Sequence, residues 1–197
     1  MKPVDVQLLG PVAITQGNED VTSQFESRKA LALFCYLASA QKPISRVQLV
    51  DLFWPDKPEK RGRGNLSRVL SNFSSILPDV VDAKQHEVAF CHNNENVRVD
   101  TAVLEALIEN NNIVALDRAS QLYRGAYLEG LYLEDCAEFE IWLTREQERW
   151  RQRATEVLED LLMYDLHRRE FTRARDYAER LLEINPWREE SHRHLML

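Results

Sequence analysis

The 197-residue sequence has few of the features that mark a specialised class. Its three cysteines, Cys35, Cys91 and Cys136, are odd in number and scattered. They imply no disulfide framework, fit a reducing cytoplasm and read as small packed hydrophobes. No run of 18 apolar residues exists, so no membrane span is expected. The N-terminus, MKPVDVQLLGPVAI, lacks the long apolar core of a signal peptide and reads as strands. Missing too are G-x-x-x-x-G-K-[ST], G-x-S-x-G and H-E-x-x-H. The glycine pair at 62 and 64 is too short for a nucleotide fingerprint. The acids of 134–140 read as a solvated face. His86-x4-Cys91-His92 and His192-x-His194 lack the tight paired spacing of a metal site, and Cys91 and His92 alternate faces of a strand. We therefore expect no enzyme, cofactor or metal. His86 and His92 read instead as surface residues, with a phosphate contact as the alternative.

What is present is unevenly distributed. Apolar residues make up 44% and charged residues 29%, ordinary for a folded protein. The net charge of −7 would disfavour nucleic acid if it were uniform. Residues 1–100 hold 12 Lys/Arg and 12 Asp/Glu, and residues 101–197 hold 13 and 20. Within 57–68, Lys57, Lys60, Arg61, Arg63 and Arg68 stand against Glu59 alone.

The periodicity changes along the chain. VDVQLL (4–9) and VAIT (12–15) read as strands separated by Gly10-Pro11, with a turn at Gly17-Asn18 and a third short strand near Val21. Ala30, Leu33, Phe34 and Leu37 then fall on one helical stripe, predicting a helix over about 27–40. Ser45 and Gln48 form a capping box for a second helix ending at Trp54-Pro55. Asp56, Pro58 and Glu59 predict the start of a third by the same logic. Residues 80–99 read as a hairpin, HEVAFC (86–91) and NVRV (96–99) flanking Asn93-Asn94. From Thr101 the pattern is helical: about 101–109, 112–124, 137–169 and 171–183, with a stop at Asn185-Pro186 and a last helix from near Trp187. HRHLML closes the chain without a stop signal, so we expect a longer protein of which this is a part. The predicted fold is mostly α with small β, with a boundary at about residue 100 and no Gly/Ser linker to mark it.

The third helix carries the functional signal. Leu66, Val69, Leu70, Phe73 and Leu77 form its apolar stripe. At about 100° per residue, Arg61, Gly64, Arg68, Ser71 and Ser75 fall opposite, flanked by Ser67 and Asn72. No acid lies between Lys60 and Pro78. By itself this describes a solvated face on a core helix as well as a DNA reader. Two helices, a third with a polar basic face, then a hairpin is the order of a winged helix-turn-helix, whose third helix enters the major groove. Arg can hold guanine O6/N7 and Asn adenine N6/N7, while Ser and Lys mainly hold phosphate. Gly62 and Gly64 each cost up to about 1 kcal/mol of helix stability relative to Ala. They either fray the first turn or permit close backbone approach to phosphate.

LLGPVAI, SRKALALFCYLA (27–38), ISRVQLVDLFWPDKPEKRGRGNLSRVLSNF (44–73), YRGAYLEGLYLEDCAEFEIWL (123–143) and RARDYAERLLEINPWREESHRHLM (173–196) together resemble the bacterial antibiotic-regulatory (SARP-type) transcription factors. These join an OmpR-like winged helix to a bacterial transcriptional activator domain. The resemblance covers nearly the whole chain. It implies that 1–99 bind DNA and that 100–197 are an all-α, TPR-like domain. The reader role falls on Asn65, Ser67, Arg68, Ser71 and Asn72, with Arg61 and Arg63 at the basic start of the helix. Arg28 and Lys29 match a basic pair that touches phosphate. The implied partners are double-stranded DNA in direct repeats near promoters, RNA polymerase, and a second copy on DNA, in the cytoplasm and away from membrane. The chain departs from the family at Gly62 and Gly64, where Ala or basic residues are usual.

In the helical half, Leu158, Leu161, Ala174, Leu181 and Pro186 sit at spacings similar to a tetratricopeptide unit of about 34 residues. Leu162 and Asp165 stand where that pattern prefers Gly and Tyr. The half reads as an interaction or oligomerisation module, or as a brace for the winged helix. Tyr123, Tyr127, Tyr132, Phe139 and Trp142 read as core. The expected function is a sequence-specific DNA-binding transcriptional regulator, of the activator kind, that reads promoter DNA with the helix around 61–77. Its rival is a TPR-like interaction scaffold whose winged helix no longer binds DNA.

Overall fold

The computed structural model describes residues 2–110 and 112–184. β1 (Val4–Gln7) pairs antiparallel with β2 (Ala13–Gln16), which pairs with β3 (Glu19–Asp20). The third strand precedes Val21, which is buried ahead of a 3₁₀ turn at Thr22–Gln24. α1 (Arg28–Ser39) starts where the Ser27 hydroxyl accepts from Ala30 N at 3.1 Å. β4 (Ile44–Ser45) leads into α2 (Arg46–Phe53), where the Ser45–Gln48 capping box forms in both directions, each bond 3.2 Å. α3 (Glu59–Ile76) is continuous. The expected Asp56–Glu59 cap is absent. Pro58 holds the N-cap position with no side-chain cap, and the N–H groups of Arg61 and Gly62 reach its carbonyl. Asp56 lies too far before the first turn to serve it.

The hairpin prediction needs correction. β6 (Glu87–Phe90) pairs with β5 (Val81–Ala83) and β4, giving the sheet order β4-β6-β5. β7 (Val97–Val99) leaves it and runs parallel to β1 in the other sheet, order β3-β2-β1-β7. The wing is therefore the β5–β6 hairpin, turning at 84–86, and not a loop at Asn93-Asn94. The stretch at 92–96 only carries the chain from one sheet to the other. With α1, α2 and α3 this hairpin makes a winged helix-turn-helix.

α4 (Asp100–Glu109), α5 (Ile113–Leu122), α6 (Ala137–Arg168) and α7 (Phe171–Ile184) follow. Arg169, at φ 62°, turns α6 back into α7. Ala174 and Ala178 are buried and let α7 approach α6. Asp165 is buried too, with Arg173 Nε 3.4 Å from its Oδ2. Tyr177 donates to Asp117 at 2.7 Å and Arg180 to the Ser120 carbonyl at 2.6 Å, so α5 completes the layer. The predicted stop at Asn185-Pro186, the last helix from Trp187 and His192-x-His194 lie outside the described residues.

The halves share an aromatic seam. Phe53 of α2 lies 5.4 Å from Phe139, and Tyr36 of α1 lies 4.7 Å from Trp142. Tyr127 is fully buried, its hydroxyl against Ser39 Oγ. Burial pushes that phenol well above its ordinary range. Tyr123 and Trp142 pack partly buried against this core, but Tyr132, expected in it, is 56% exposed.

Gly62 is buried between α2 and α3. A Cβ there would stand 2.5 Å from Val50 Cγ1, so the residue permits close helix approach and neither frays the turn nor serves phosphate. Gly64 faces open space. Gly62→Ala is therefore expected to lower stability by about 1 kcal/mol in a urea melt, since overpacking outweighs Ala's helix preference. Adding Val50→Ala should then cost less than the two changes sum to separately. A Gly62→Ala variant as stable as the parent would show that the two helices can part freely.

Candidate nucleic-acid interface

α3 turns its stripe inward: Leu66, Val69, Leu70, Phe73 and Leu77 are all buried, as the pattern predicts. The opposite side presents Lys60, Arg61, Arg63, Gly64, Ser67, Arg68, Ser71 and Ser75 to solvent, with Asn65 and Asn72 half-buried at its edges. Lys60 and Arg61 have no acidic partner among the described residues. Arg63 pairs with Glu59 one turn earlier at 2.6 Å. Both side chains are exposed, so the pair is readily exchanged for another partner. Ser75 donates to the Ser71 carbonyl at 3.0 Å.

The wing joins this face through α2. Arg46 Nε donates to the Lys84 carbonyl at 2.7 Å, and Arg46 N to the His86 carbonyl at 2.9 Å. Between them lies a cleft of about 190 Å³ lined by Arg46, Val47, Arg63, Leu66, Ser67, Gln85 and His86. Arg46, Lys84 and Gln85 were not singled out in the sequence. The only local signal was Arg46's place just after a capping serine. Lys84 is shared between Asp82 at 3.6 Å and Glu87 at 3.4 Å, so the wing tip carries both signs. His86 sits at this cleft. His92 does not: its Nε2 bonds the Ala40 carbonyl at 2.9 Å and its ring packs on Phe90.

The remaining sequence-predicted residues lie on the other flank. Arg68 Nε is 3.3 Å from Glu26 Oε1, and Asn72 Oδ1 accepts from Glu26 N at 3.3 Å. The part of α3 after Glu59, which carries no acid of its own, thus meets an acid from the loop before α1. Arg28 and Lys29, next in sequence, point their charges at the helical half. Arg28 donates to the Gly130 carbonyl at 2.5 Å, and Lys29 Nζ pairs with Asp135 at 2.7 Å. The Lys29 hydrogen bond holds the Asp135 carboxyl below its usual range. Arg63 and Ser67 are thus brought together with the wing cleft, while Arg61, Asn65 and Ser71 share α3 with them outside it. Arg68 and Asn72 are brought together with the loop before α1. Arg28 and Lys29 are committed to the 125–135 connection.

The bacterial transcriptional activator domain matches residues 94–197. Among solved structures, the chain is similar to EmbR of Mycobacterium tuberculosis in complex with a low affinity phosphopeptide, with a TM-score of 0.71 at 20% identity. The likeness covers 100% of this chain and 54% of that one, so this chain spans about half the length of the protein it matches. At that identity the likeness speaks for the fold. No curated protein matches.

Proposed function

The chain belongs to the bacterial transcriptional activator domain family, in the arrangement of the antibiotic-regulatory (SARP-type) regulators, and on that premise we propose that it regulates transcription by binding promoter DNA through α3. One observation carries the reading: the exposed side of α3 is basic and hydroxylic, and the helix bears no acid after Glu59. Such a face suits a phosphate-lined major groove. In this reading residues 1–99 hold the DNA and 100–197 pack on them and meet partners. Arg63 holds phosphate beside the wing cleft, and Arg61 holds it from the exposed start of α3. Asn65, Ser67, Arg68, Ser71 and Asn72 face the groove. Arg28 and Lys29 reach phosphate only by leaving Gly130 and Asp135. Direct-repeat operators, paired copies on DNA, contact with RNA polymerase and work in the cytoplasm follow from the family and complete the proposal. It assigns no catalytic step.

The test is a fluorescence-anisotropy titration with random-sequence duplex across a salt series. Four to five phosphate contacts predict a log–log slope of about −4. No binding at low salt, by the whole chain or by residues 1–99, would reject the proposal in favour of an interaction scaffold.

A further inference from the structure

We propose that Glu26 is a specificity-determining residue, holding Arg68 by its Nε edge so that the two terminal guanidinium nitrogens face a guanine. The inference rests on the DNA-binding function proposed above and deepens it.

Glu26 meets the guanidinium of Arg68 at one edge, as an ion pair. Glu26 Oε1 lies 3.3 Å from Arg68 Nε. The acid's side chain is 27% exposed and the arginine's 71%, so the guanidinium is the more open of the two to a partner from solvent. Five N–H donors lie in the guanidinium plane. A partner at Nε leaves the distal pair free, and that pair matches guanine O6 and N7 in the major groove. Unheld, an exposed arginine wanders among rotamers and meets phosphate as readily as a base.

Glu26 is itself fixed on both sides. Phe25 before it is buried, 5.1 Å from Phe34 and 5.6 Å from Phe73. Ser27 after it caps α1. Its own N–H donates to Asn72 Oδ1 at 3.3 Å. That bond also sets the Asn72 amide. With the oxygen committed inward, the nitrogen presents donors outward. An adenine edge asks Asn for an acceptor and a donor together. So oriented, Asn72 suits phosphate, guanine or thymine oxygens, and the adenine contact open to it in sequence is disfavoured. Glu26 weakens attraction to every phosphate nearby. What it adds is direction, which random DNA does not use and a guanine does.

The experiment selects an operator from a random duplex library with the parent chain, then measures single-base variants of that operator against the parent, Glu26→Ala, Arg68→Ala and the double variant. The expected result is one position where the parent prefers guanine by roughly ten-fold or more. Glu26→Ala should lose most of that preference while holding or raising affinity for random duplex. In the Arg68→Ala background, Glu26→Ala should leave base preference unchanged. If Glu26→Ala tightens binding to all sequences equally with guanine preference intact, the acid only repels, and the inference falls while the DNA-binding function stands. If the parent binds duplex but selects nothing, sequence reading itself is wrong and the inference goes with it.

Discussion

Asp100→Asn is expected to lower the free energy of unfolding by about 3 kcal/mol, seen as a fall in the urea midpoint. The carboxylate is 6% exposed at the start of α4. Its oxygens accept from Leu8 N at 2.9 and 2.8 Å and from Leu9 N at 2.9 Å. Leu8 and Leu9 are themselves fully buried, so water cannot replace the acceptor. Arg124 adds a contact at 3.4 Å and also holds Gln7. One side chain thus ties together the residues just after β1, the start of α4 and Arg124, which leads into the 125–135 connection. Burial pushes the carboxyl above its ordinary range, against the pull of these donors. Asn matches Asp in shape, so no cavity opens. Its amide nitrogen, however, would face a backbone N–H that has no other acceptor. A loss below about 1 kcal/mol would show that the strand end finds other partners.

Local chemistry in the sequence specified local structure. The Ser45–Gln48 box and the α3 stripe need only neighbours three or four residues away, and both form. Strand character was legible at 86–91 and 96–99, but strand partners were not. Val97 and Val99 pair with Val4 and Val6 from the other end of the unit. No local turn chemistry can announce such a pairing, whereas Asn93-Asn94 advertised the wrong one. Gly62 shows the same limit. Its helix cost was visible, but Val50 opposite it was not.

The proposed site divides along the same line. An exposed, acid-free helix face follows from about 100° per residue and could be read directly. Which charges stay free depends on groups from elsewhere. Glu26 arrives at Arg68 and Asn72 through the packing of Phe25. Gly130 and Asp135 arrive at Arg28 and Lys29 because Leu9 and Pro11 bridge to Tyr127 and Glu129, seating the connection beside α1. Residues 26–29 therefore touch both the proposed reading helix and the helical half, a junction no motif marked.

Reversing two charges together, Arg61→Glu with Arg63→Glu, is expected to weaken duplex binding roughly a hundred-fold at low salt and to flatten the salt slope by about two units. Both side chains are exposed on α3, and Arg61 has no acidic partner among the described residues. The loss of the Arg63–Glu59 pair, and the repulsion that replaces it, should cost only a few tenths of a kcal/mol of helix stability. A binding loss with an unchanged melt therefore belongs to the DNA face and not to unfolding. Since the lost energy is electrostatic, parent and variant should converge as salt rises. Net charge changes too, from −7 to a more acidic value. Arg145→Glu with Arg175→Glu on α6 and α7 makes the same change on exposed sites outside the winged helix. If that control binds like the parent, the effect of the α3 reversal is local to the proposed interface. If both double variants weaken alike, the chain meets DNA only as a diffuse charge, and α3 loses its claim to the groove.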